Sequence, residues 1–452
     1  MDAFVIEGGA RLEGRLRVKG SKNAALPLLA AALLTDEPVT LQDIPDLADI
    51  RNMLRLLEEL GVELDGKPED TDGDWDGTLT LRTSDEASSH ARYEIVRTMR
   101  ASICTLGPML ARRGEARISM PGGCAIGDRP VDIHLRGLRA LGAEITLDGG
   151  DIVATAPGAG DRRRLRGGQV FLGGPSGPTV LGTANVMSAA ALAEGATVIE
   201  SAACEPEIVD LANLLNAMGA RIEGAGSPRI RVTGVESLGA ARHRVMPDRI
   251  EAGTLICAAA MTNGDLTLEN CPLDALMAVS DRLAHVGVRV EAVGPASAID
   301  PMRASVRVTC ERTLRPVEIT TQPHPGFPTD LQAQFMALLC LADGNSVITE
   351  RIFPERFLHV AELSRMGAQL FRQGSTVVVT GVKELVGAPV MASDLRASAG
   401  LVLAGLAARG TTVVNRVYHL DRGYEKLEER LASVGARVSR VDAAKLDAAV
   451  RL

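Results

Sequence analysis

One segment recurs six times along the chain and leaves little freedom in the choice of fold. Each copy reads as an Ala- and Leu-rich apolar helix, a turn, a β-branched strand, an amphipathic helix that closes on glycine, and another strand. The six closing glycines are Gly61, Gly142, Gly219, Gly287, Gly367 and Gly435. The period of roughly 70 to 80 residues is longer than that of common solenoids, so each copy is predicted to be a small α/β module.

The two helices of a copy differ in their patterns. The first is apolar on most faces, which is typical of a helix buried among other helices. The second alternates apolar and polar residues at helical spacing, and a glycine after its last turn suits the left-handed conformation. Close packing of Ala-rich helices also accounts for an aromatic content of only 2%.

Six such copies most simply form two domains of three copies each. A boundary is predicted near residues 243–247, where the fourth copy begins. The sequence from Phe4 to Lys19 precedes the first copy and alternates like a strand, and the sequence alone allows it in either domain. Residues 65–91, with Trp75, and residues 293–302 are predicted to contain surface loops.

The composition excludes several classes of function. A net charge of −8 argues against a broad nucleic-acid or membrane surface. The start of the chain lacks the basic and apolar regions of a signal peptide, and the longest apolar stretch, residues 24–34, is too short to span a bilayer. Seven cysteines at irregular spacing contain no CxxC pair, so neither disulfides nor zinc are indicated. We therefore expect a soluble, cytoplasmic protein.

Polar residues cluster just before the apolar helix of several copies. They are Lys22 and Asn23, Arg100, Asp248 and Arg249, Asp330, and Asp394 and Arg396. If three-fold pseudo-symmetry aligns the apolar helices of one domain, these helix starts share a face, where free N–H groups and helix dipoles favour anions. Residues of these types are also ordinary helix caps, so this pattern by itself leaves both interpretations open.

A second cluster surrounds Cys124. This cysteine follows Pro121-Gly122-Gly123 and precedes Gly127, which predicts a loop from which a thiol can reach a substrate. Arg129 lies close by and would lower the pKa of the thiol, which suits it to act as a proton donor or, once deprotonated, as a nucleophile. A lone cysteine is more often inert, and the run from Arg129 to His134 could merely lead into the next helix.

Six motifs occur together and in order over nearly the whole chain. They are VKGSKNAALP, PGGCAIGDRPVDIH, AACEPEIVD, PDRIEAGT, HPGFPTDLQAQ and MASDLRASAG, followed by YHLDRGYEKLEERL. In this combination the chain resembles the UDP-N-acetylglucosamine 1-carboxyvinyltransferases, enolpyruvyl transferases of the EPSP synthase superfamily. Any one motif is a weak signal, whereas independent motifs on all six copies are specific.

The resemblance implies a fold and an activity. The fold is α/β, a two-domain inside-out α/β barrel built from six repeated αβ units. Residues 22–246 would form the domain with Cys124, and residues 1–21 and 247–452 the domain with Asp330 and Arg422. The activity would be transfer of the enolpyruvyl group of phosphoenolpyruvate to the 3-hydroxyl of UDP-N-acetylglucosamine, with release of phosphate, the first committed step of peptidoglycan precursor synthesis.

The resemblance also implies roles at matching positions. Lys22, Arg129 and Arg422 would hold the phosphate and carboxylate of phosphoenolpyruvate. The contacts to the UDP-sugar would come from Asn23, Arg100, Arg129, Pro130, Val131, Asp132, Ile133, Asp330 and Ile352, and Arg396 would line the same cleft. Partners would be these two small molecules, with no nucleic acid, membrane, metal or cofactor.

These roles agree with the chemistry of the reaction. Phosphoenolpyruvate is compact and highly anionic, which suits bidentate guanidinium groups and one ammonium. Its C2 is a poor electrophile until C3 is protonated, and Cys124 is the candidate general acid. The sugar hydroxyl must lose a proton as it attacks, and Asp330 is the candidate base. Arginines can stabilise the departing phosphate without a metal.

The chain departs from the family pattern in one segment. Residues 171–187 read FLGGPSGPTVLGTANVM, where relatives commonly have a short Ser-Val-Gly-Ala-Thr run that contacts the uridine diphosphate. Thr179 and Thr183 are candidates for equivalent hydroxyls.

Two other functions stay in competition. A 3-phosphoshikimate 1-carboxyvinyltransferase would share the fold and phosphoenolpyruvate, but would not be expected to carry the PGGC loop or the RPVDIH run. A non-catalytic paralogue that binds a nucleotide sugar as a regulator is supported only by the altered segment, residues 171–187. The set of Lys22, Cys124, Asp330 and Arg422 argues against it.

Overall fold

The computed structural model describes residues 2–71, 75–121, 131–159, 163–295, 299–310 and 313–445. These residues divide into two compact α/β units. We call the described part of residues 20–246 the central unit, and residues 2–19 together with the described part of residues 247–445 the terminal unit. No helix within the described ranges is long and apolar enough to cross a bilayer.

The central unit contains seven α-helices and three short 3-10 helices among its described residues. The α-helices are Lys22–Ala31, Ala48–Glu59, Tyr93–Val96, Leu106–Arg113, Asp132–Ala140, Val180–Ala191 and Pro206–Ala217. The 3-10 helices are Ala32–Leu34, Pro68–Asp70 and Arg100–Thr105.

Three four-stranded sheets and one two-stranded ribbon complete the described part of the central unit. In spatial order, the first sheet is Ala241–Arg244, Val39–Gln42, Leu79–Thr83 and Val62–Asp65, and the second is His90–Ala91, Glu115–Ser119, Asp151–Thr155 and Glu144–Asp148. The third is Gln169–Phe171, Ala196–Glu200, Arg229–Thr233 and Arg221–Glu223, and the ribbon pairs Gly173–Gly174 with Gly177–Pro178.

The terminal unit has six α-helices and four 3-10 helices in its described ranges. The α-helices are Arg249–Met261, Met277–Val286, Gln332–Leu339, Leu358–Arg365, Leu395–Ala407 and Leu427–Ser433, and the 3-10 helices are Asp274–Leu276, Thr329–Leu331, Val417–Arg422 and Ala443–Lys445. Its three sheets are Val288–Ala292, Ala304–Cys310, Asp265–Cys271 and Glu13–Arg17; Glu318–Thr320, Asn345–Thr349, Thr376–Thr380 and Gln369–Gln373; and Pro389–Met391, Thr411–Asn415, Asp2–Glu7 and Arg437–Asp442.

All six four-stranded sheets of the described chain share one topology. In each, an edge strand pairs in parallel with its neighbour, and the two remaining pairings are antiparallel. Three sheets are completed from a distance, because Ala241–Arg244 joins the first, Glu13–Arg17 the fourth and Asp2–Glu7 the sixth. The repeat seen in the sequence is therefore also a repeat of strand order.

The first helix of each copy is buried, as its apolar pattern predicts. We call these six the core helices: Lys22–Ala31, Leu106–Arg113, Val180–Ala191, Arg249–Met261, Gln332–Leu339 and Leu395–Ala407. Every residue of Arg249–Met261 and of Gln332–Leu339 is buried. In the terminal unit the three core helices pack against one another. Burial of each Leu, Ile or Met side chain there stabilises the fold by roughly 2 kcal/mol.

The six closing glycines adopt the conformation that the sequence predicts. Their φ angles all lie between 83° and 108°, directly after the second helix of each copy. Only glycine enters this region without steric cost, so the repeated Gly marks the point where the chain leaves the helix for the next strand.

The sequence did not predict one strand. Residues 65–91 were expected to contain a surface loop, and Leu79–Thr83 within this range is an inner strand of the first sheet. Leu79 and Leu81 are fully buried, and their alternation with polar neighbours is the strand signal that the acidic surroundings obscured. The strand-like sequence from Phe4 to Lys19 contributes its two strands to the terminal unit.

Candidate active site

Each core helix of the terminal unit has an aspartate at its start, namely Asp248, Asp330 and Asp394. Asp248 and Asp394 are N-caps, because one carboxylate oxygen of each accepts two backbone N–H bonds of the first turn at 2.7 to 3.0 Å. The helix Gln332–Leu339 begins without a side-chain cap. Asp330 therefore stands at a cap-like position while its carboxylate is directed to other partners.

Those partners are two buried arginines. Arg356 Nη1 donates to Asp330 Oδ1 at 2.8 Å, and its Nη2 lies 3.6 Å from Asp394 Oδ1. Arg396 Nε lies 3.5 Å from Asp330 Oδ2, and its Nη2 lies 4.0 Å from Asp248 Oδ2. The structure thus brings the three helix starts together around two guanidinium groups, as the pseudo-symmetry argument predicted for one domain.

Asp330 differs from the other two aspartates in its access to solvent. Its side chain is 27% exposed, whereas those of Asp248 and Asp394 are 5% and 4% exposed. A carboxylate that must take a proton from a bound hydroxyl has to be reachable from outside the protein. Of these three aspartates, Asp330 is the one whose carboxylate a bound molecule could contact.

Both arginines stay cationic despite their burial. Burial by itself would lower the pKa of Arg356, but attraction to Asp330 and Asp394 raises it above its ordinary value. Burial also opposes the charge of Arg396, and its contacts with Tyr424, Asp248 and Asp330 outweigh that effect and raise the pKa of this group. The site therefore presents two fixed positive charges beside Asp330.

Arg396 packs against the face of the Tyr424 ring and lies near the carboxylates of Asp330 and Asp248. Its guanidinium carbon lies 5.2 Å from the centre of the Tyr424 ring, and its residue is 1% exposed. Its polar neighbours among the described residues are the Tyr424 hydroxyl and the Asp330 and Asp248 carboxylates, the latter two at 3.5 and 4.0 Å. The Tyr424 hydroxyl in turn lies 2.9 Å from Thr254 Oγ1 and accepts from Gln334 Nε2 at 3.2 Å. A buried guanidinium in this state is suited to an anionic ligand.

Arg422 ends the 3-10 helix Val417–Arg422 and is half-buried. The residue before it, Asp421, accepts two hydrogen bonds from Arg440 at 2.5 and 3.0 Å. Arg440 also donates to Glu428 at 2.6 Å, and these bonds raise its pKa although burial opposes them. The segment that carries Arg422 is therefore anchored by a two-carboxylate clamp.

Lys22 begins the first core helix of the central unit. Its Nζ donates to Asp49 Oδ2 at 3.1 Å, and the two side chains are 8% and 4% exposed. Ser21 caps the helix by accepting the Ala24 N–H at 3.3 Å. The ion pair fixes the direction of the ammonium group at the start of this helix, and Asn23 follows it in a half-buried position.

The remaining central-unit candidates lie at the starts of neighbouring helices. Arg100 begins the 3-10 helix Arg100–Thr105, which packs against the helix of Lys22. Val131 precedes the helix Asp132–Ala140, so that Asp132 and Ile133 are in its first turn. Val131 is buried, Ile133 half-buried and Asp132 exposed.

The altered segment packs directly on that first turn. A Cβ atom at Gly174 would lie only 2.6 Å from Ile133 Cδ1, so the ribbon and Ile133 are in close contact. Thr179 caps the helix Val180–Ala191 and is half-buried. The expectation for Thr183 is wrong: it is fully buried, and its hydroxyl donates to Thr179 O at 2.8 Å and accepts from Ala203 N at 3.0 Å.

Three predicted site residues, Cys124, Arg129 and Pro130, lie outside the described residues. The structure also adds contacts that the sequence did not suggest. Arg356 stands 26 positions after Asp330, so the pair exists only through the fold. The sequence signal for Arg356 was its place six residues after Glu350, at the end of a strand, in the run ERIFPER. That signal is not specific.

The described cysteines lead to a prediction about Cys124. Burial raises the pKa of Cys104, Cys271 and Cys340 to about 12. Burial also raises the pKa of Cys257, and burial together with the nearby Glu205 raises that of Cys204. Near neutral pH we therefore expect iodoacetamide to alkylate Cys124 first, because the reactive species is the thiolate.

Peptide mapping by mass spectrometry checks this order of labelling. The Cys124→Ser variant is the control and should react at least about tenfold more slowly overall. Faster labelling of any described cysteine in the native protein would contradict the prediction.

Comparison with known proteins assigns this chain to a family. The family model for EPSP synthase (3-phosphoshikimate 1-carboxyvinyltransferase) matches residues 6–431. A protein of Anaeromyxobacter sp. (strain Fw109-5) and one of Desulfovibrio desulfuricans are each 52% identical to this chain over 440 residues, covering 97% of it and 99% of their own length. Both are named UDP-N-acetylglucosamine 1-carboxyvinyltransferase. The chain belongs to this family.

Solved structures agree with the assignment to the family. The enolpyruvyl transferase NikO from Streptomyces tendae has a TM-score of 0.85 and 26% sequence identity, covering 98% of this chain and 99% of its own. An EPSP synthase from Acinetobacter baumannii has a TM-score of 0.73 at 18% identity, over 98% and 100% of the two chains. At that identity the second likeness shows the shared fold alone.

Proposed function

We propose that this protein transfers the enolpyruvyl group of phosphoenolpyruvate to the 3-hydroxyl of UDP-N-acetylglucosamine and releases phosphate. The observation that carries the proposal is the cluster around Asp330. It combines an accessible carboxylate with two buried guanidinium groups that stay cationic. An anionic substrate and a hydroxyl that must be deprotonated are what such a cluster suits. The names of the relatives indicate UDP-N-acetylglucosamine as the substrate that accepts the enolpyruvyl group.

In the proposed reaction the anionic substrate is bound by arginines and one lysine. Lys22, Arg129 and Arg422 bind the phosphate and carboxylate of phosphoenolpyruvate, and Arg396 lines the same cleft. Guanidinium groups suit this ligand because they form paired, charge-assisted hydrogen bonds to carboxylates and phosphates. Support for Arg422 comes from its anchored segment, and support for Lys22 from the ion pair that fixes its ammonium.

The chemical step needs one acid and one base. Cys124 is proposed to protonate C3 of phosphoenolpyruvate, which makes C2 electrophilic. Asp330 is proposed to take the proton of the sugar 3-hydroxyl as its oxygen attacks C2. The C–O bond to phosphate then breaks, the Cys124 thiolate takes back a proton from C3, and the enol ether forms. The proton held by Asp330 leaves with the phosphate. The arginines stabilise the departing phosphate.

The nucleotide sugar is proposed to contact a second set of residues. They are Asn23, Arg100, Arg129, Pro130, Val131, Asp132, Ile133, Asp330 and Ile352. Support comes from the described members of this set, which lie at helix starts or in a turn and are exposed or half-buried apart from Val131. Thr179 is retained as a further contact, because its side chain is half-buried at the start of a core helix.

The fold proposal is finer than the α/β class. We assign residues 22–246 to one domain and residues 1–21 and 247–452 to the other, each an inside-out α/β barrel of three units. Support comes from the two compact units, the shared topology of the six described sheets and the buried core helices. We assign the reaction to the cytoplasm, with phosphoenolpyruvate and UDP-N-acetylglucosamine as the partners. A net charge of −8 is in keeping with this assignment.

A phosphate-release assay with two acceptors tests the proposal. Protein with phosphoenolpyruvate and UDP-N-acetylglucosamine should release phosphate, and the same protein with shikimate 3-phosphate should not. The reverse preference would assign the chain to the shikimate reaction. No release with either acceptor, together with binding of the nucleotide sugar, would favour a non-catalytic paralogue.

A further inference from the structure

Glu350 is a fully buried carboxylate that the proposed reaction does not use. Its Oε1 accepts three hydrogen bonds, from Thr321 Oγ1 at 2.7 Å and from the backbone N–H groups of Ile352 and Phe353 at 2.8 and 3.0 Å. Its Oε2 accepts one, from Thr329 Oγ1 at 2.8 Å. A carboxylate is the one side chain that offers acceptors on both sides, so this position requires an acid.

The two oxygens of Glu350 serve two different segments. On the Oε2 side, the Thr329 hydroxyl also accepts from Arg356 Nη1 at 3.2 Å, and the same nitrogen donates to Asp330 at 2.8 Å. A continuous chain of hydrogen bonds therefore leads from Glu350 to Asp330. On the Oε1 side, the carboxylate closes the turn that contains Ile352.

We propose that Glu350 is a positioning residue that fixes the proposed base, Asp330, and the proposed nucleotide-sugar contact, Ile352, in one geometry. The inference rests on the proposed function, in which both residues face the same substrate. Glu350 itself is buried and touches no substrate. Its effect is transmitted by Thr329 and Arg356 on one side and by two backbone N–H groups on the other.

The hydroxyl of Thr329 makes this transmission directional. It donates its single proton to Glu350 and accepts from Arg356, so it can switch roles only by breaking one of these bonds. As long as Glu350 is an acceptor, Arg356 is held in the position from which it reaches Asp330. Loss of that acceptor would allow the hydroxyl and Arg356 to rearrange.

The variant Glu350→Gln separates the two sides. Backbone N–H groups can only donate, so the amide oxygen of the variant must face Ile352 and Phe353, and its NH2 group must face Thr329. The side of Asp330 is then disturbed while the side of Ile352 is kept. We expect kcat to fall about tenfold, with KM for UDP-N-acetylglucosamine within about twofold of the wild type.

The variant Thr321→Val acts on the opposite side. Thr321 donates to Glu350 Oε1 and accepts the Arg351 N–H at 2.9 Å, so its loss disturbs the turn of Ile352 and spares Thr329. We expect KM for UDP-N-acetylglucosamine to rise about fivefold, with kcat changed less than about twofold. A residue that only supports the fold would not divide kcat from KM in this way.

Asp210→Asn in the central unit is the matched control. Asp210 is a buried carboxylate that also accepts a backbone N–H, from Met246 at 3.1 Å, and contacts His243 Nε2 at 2.9 Å. The Asp210→Asn variant should lose stability to a degree similar to the Glu350→Gln and Thr321→Val variants, while its kcat and KM stay unchanged. The wild-type rate is measured first, since its absence would overturn the proposed function and this inference with it. Normal wild-type turnover with equal effects of both variants on kcat and KM would overturn the inference alone.

Discussion

Replacement of Asp330 by asparagine should lower kcat by about 100-fold or more while the protein stays folded. Asparagine keeps an oxygen that can accept from Arg356, but it has no basicity with which to take the proton of a sugar hydroxyl. The core helix that follows has no side-chain cap to lose. We therefore expect both substrates to bind and the chemical step to fail, which single-turnover kinetics and nucleotide-sugar binding measure separately.

Asp248→Ala is the comparison for stability. Asp248 occupies the same position on its core helix but accepts two backbone N–H bonds, so its loss should cost roughly 1 kcal/mol of unfolding free energy. Asp330→Asn removes no helix cap but does remove a negative charge beside Arg356 and Arg396, and its unfolding free energy is measured beside that of Asp248→Ala. Normal turnover by Asp330→Asn would show that this carboxylate only orders Arg356 and Arg396.

Replacement of Arg356 by methionine should have the largest effect on stability. The guanidinium is buried beside Asp330, Asp394 and Glu350, which all contribute to its raised pKa. Removal of one member of a buried charged cluster leaves the others without a counter-charge, which costs about 3 to 5 kcal/mol. Turnover by the protein that still folds should also fall, because Asp330 loses its 2.8 Å partner.

Arg307→Met is the matched control for that change. Arg307 makes an equally short pair with Asp265, at 2.5 and 2.8 Å, but its side chain is 57% exposed. Solvent replaces such a contact at little cost, so its urea and thermal midpoints should stay close to the wild type. Equal midpoints for the Arg356 and Arg307 variants would mean that the buried cluster is not under the electrostatic constraint described here.

The parts of the fold that the sequence predicted are those with local causes. The buried core helices follow from apolar residues on every face, and the six closing glycines follow from a left-handed position that other residues avoid. The clustering of Asp248, Asp330 and Asp394 was also predictable, because equivalent positions on three copies of one module meet when the copies pack around their helices.

The parts that the sequence did not predict depend on partners that are far apart along the chain. Arg356 and Glu350 come from one segment and reach Thr329 and Asp330 in another, with no periodic pattern to announce the pairs. The strand Leu79–Thr83 was hidden by an acidic insertion, and its place inside a sheet is set by pairing with Val39–Gln42 and Val62–Asp65. The residue type of Thr183 alone suggested a ligand contact, and its burial argues against that role.

Identification of the product decides whether this protein transfers an enolpyruvyl group to the nucleotide sugar. The protein is incubated with phosphoenolpyruvate and UDP-N-acetylglucosamine, and the nucleotide sugar is recovered and examined by mass spectrometry and by proton and carbon NMR. We expect one enolpyruvyl group, attached through an enol ether to the 3-oxygen of the sugar, in equal amount to the phosphate released. An unmodified nucleotide sugar, or a group attached at another oxygen, would contradict it.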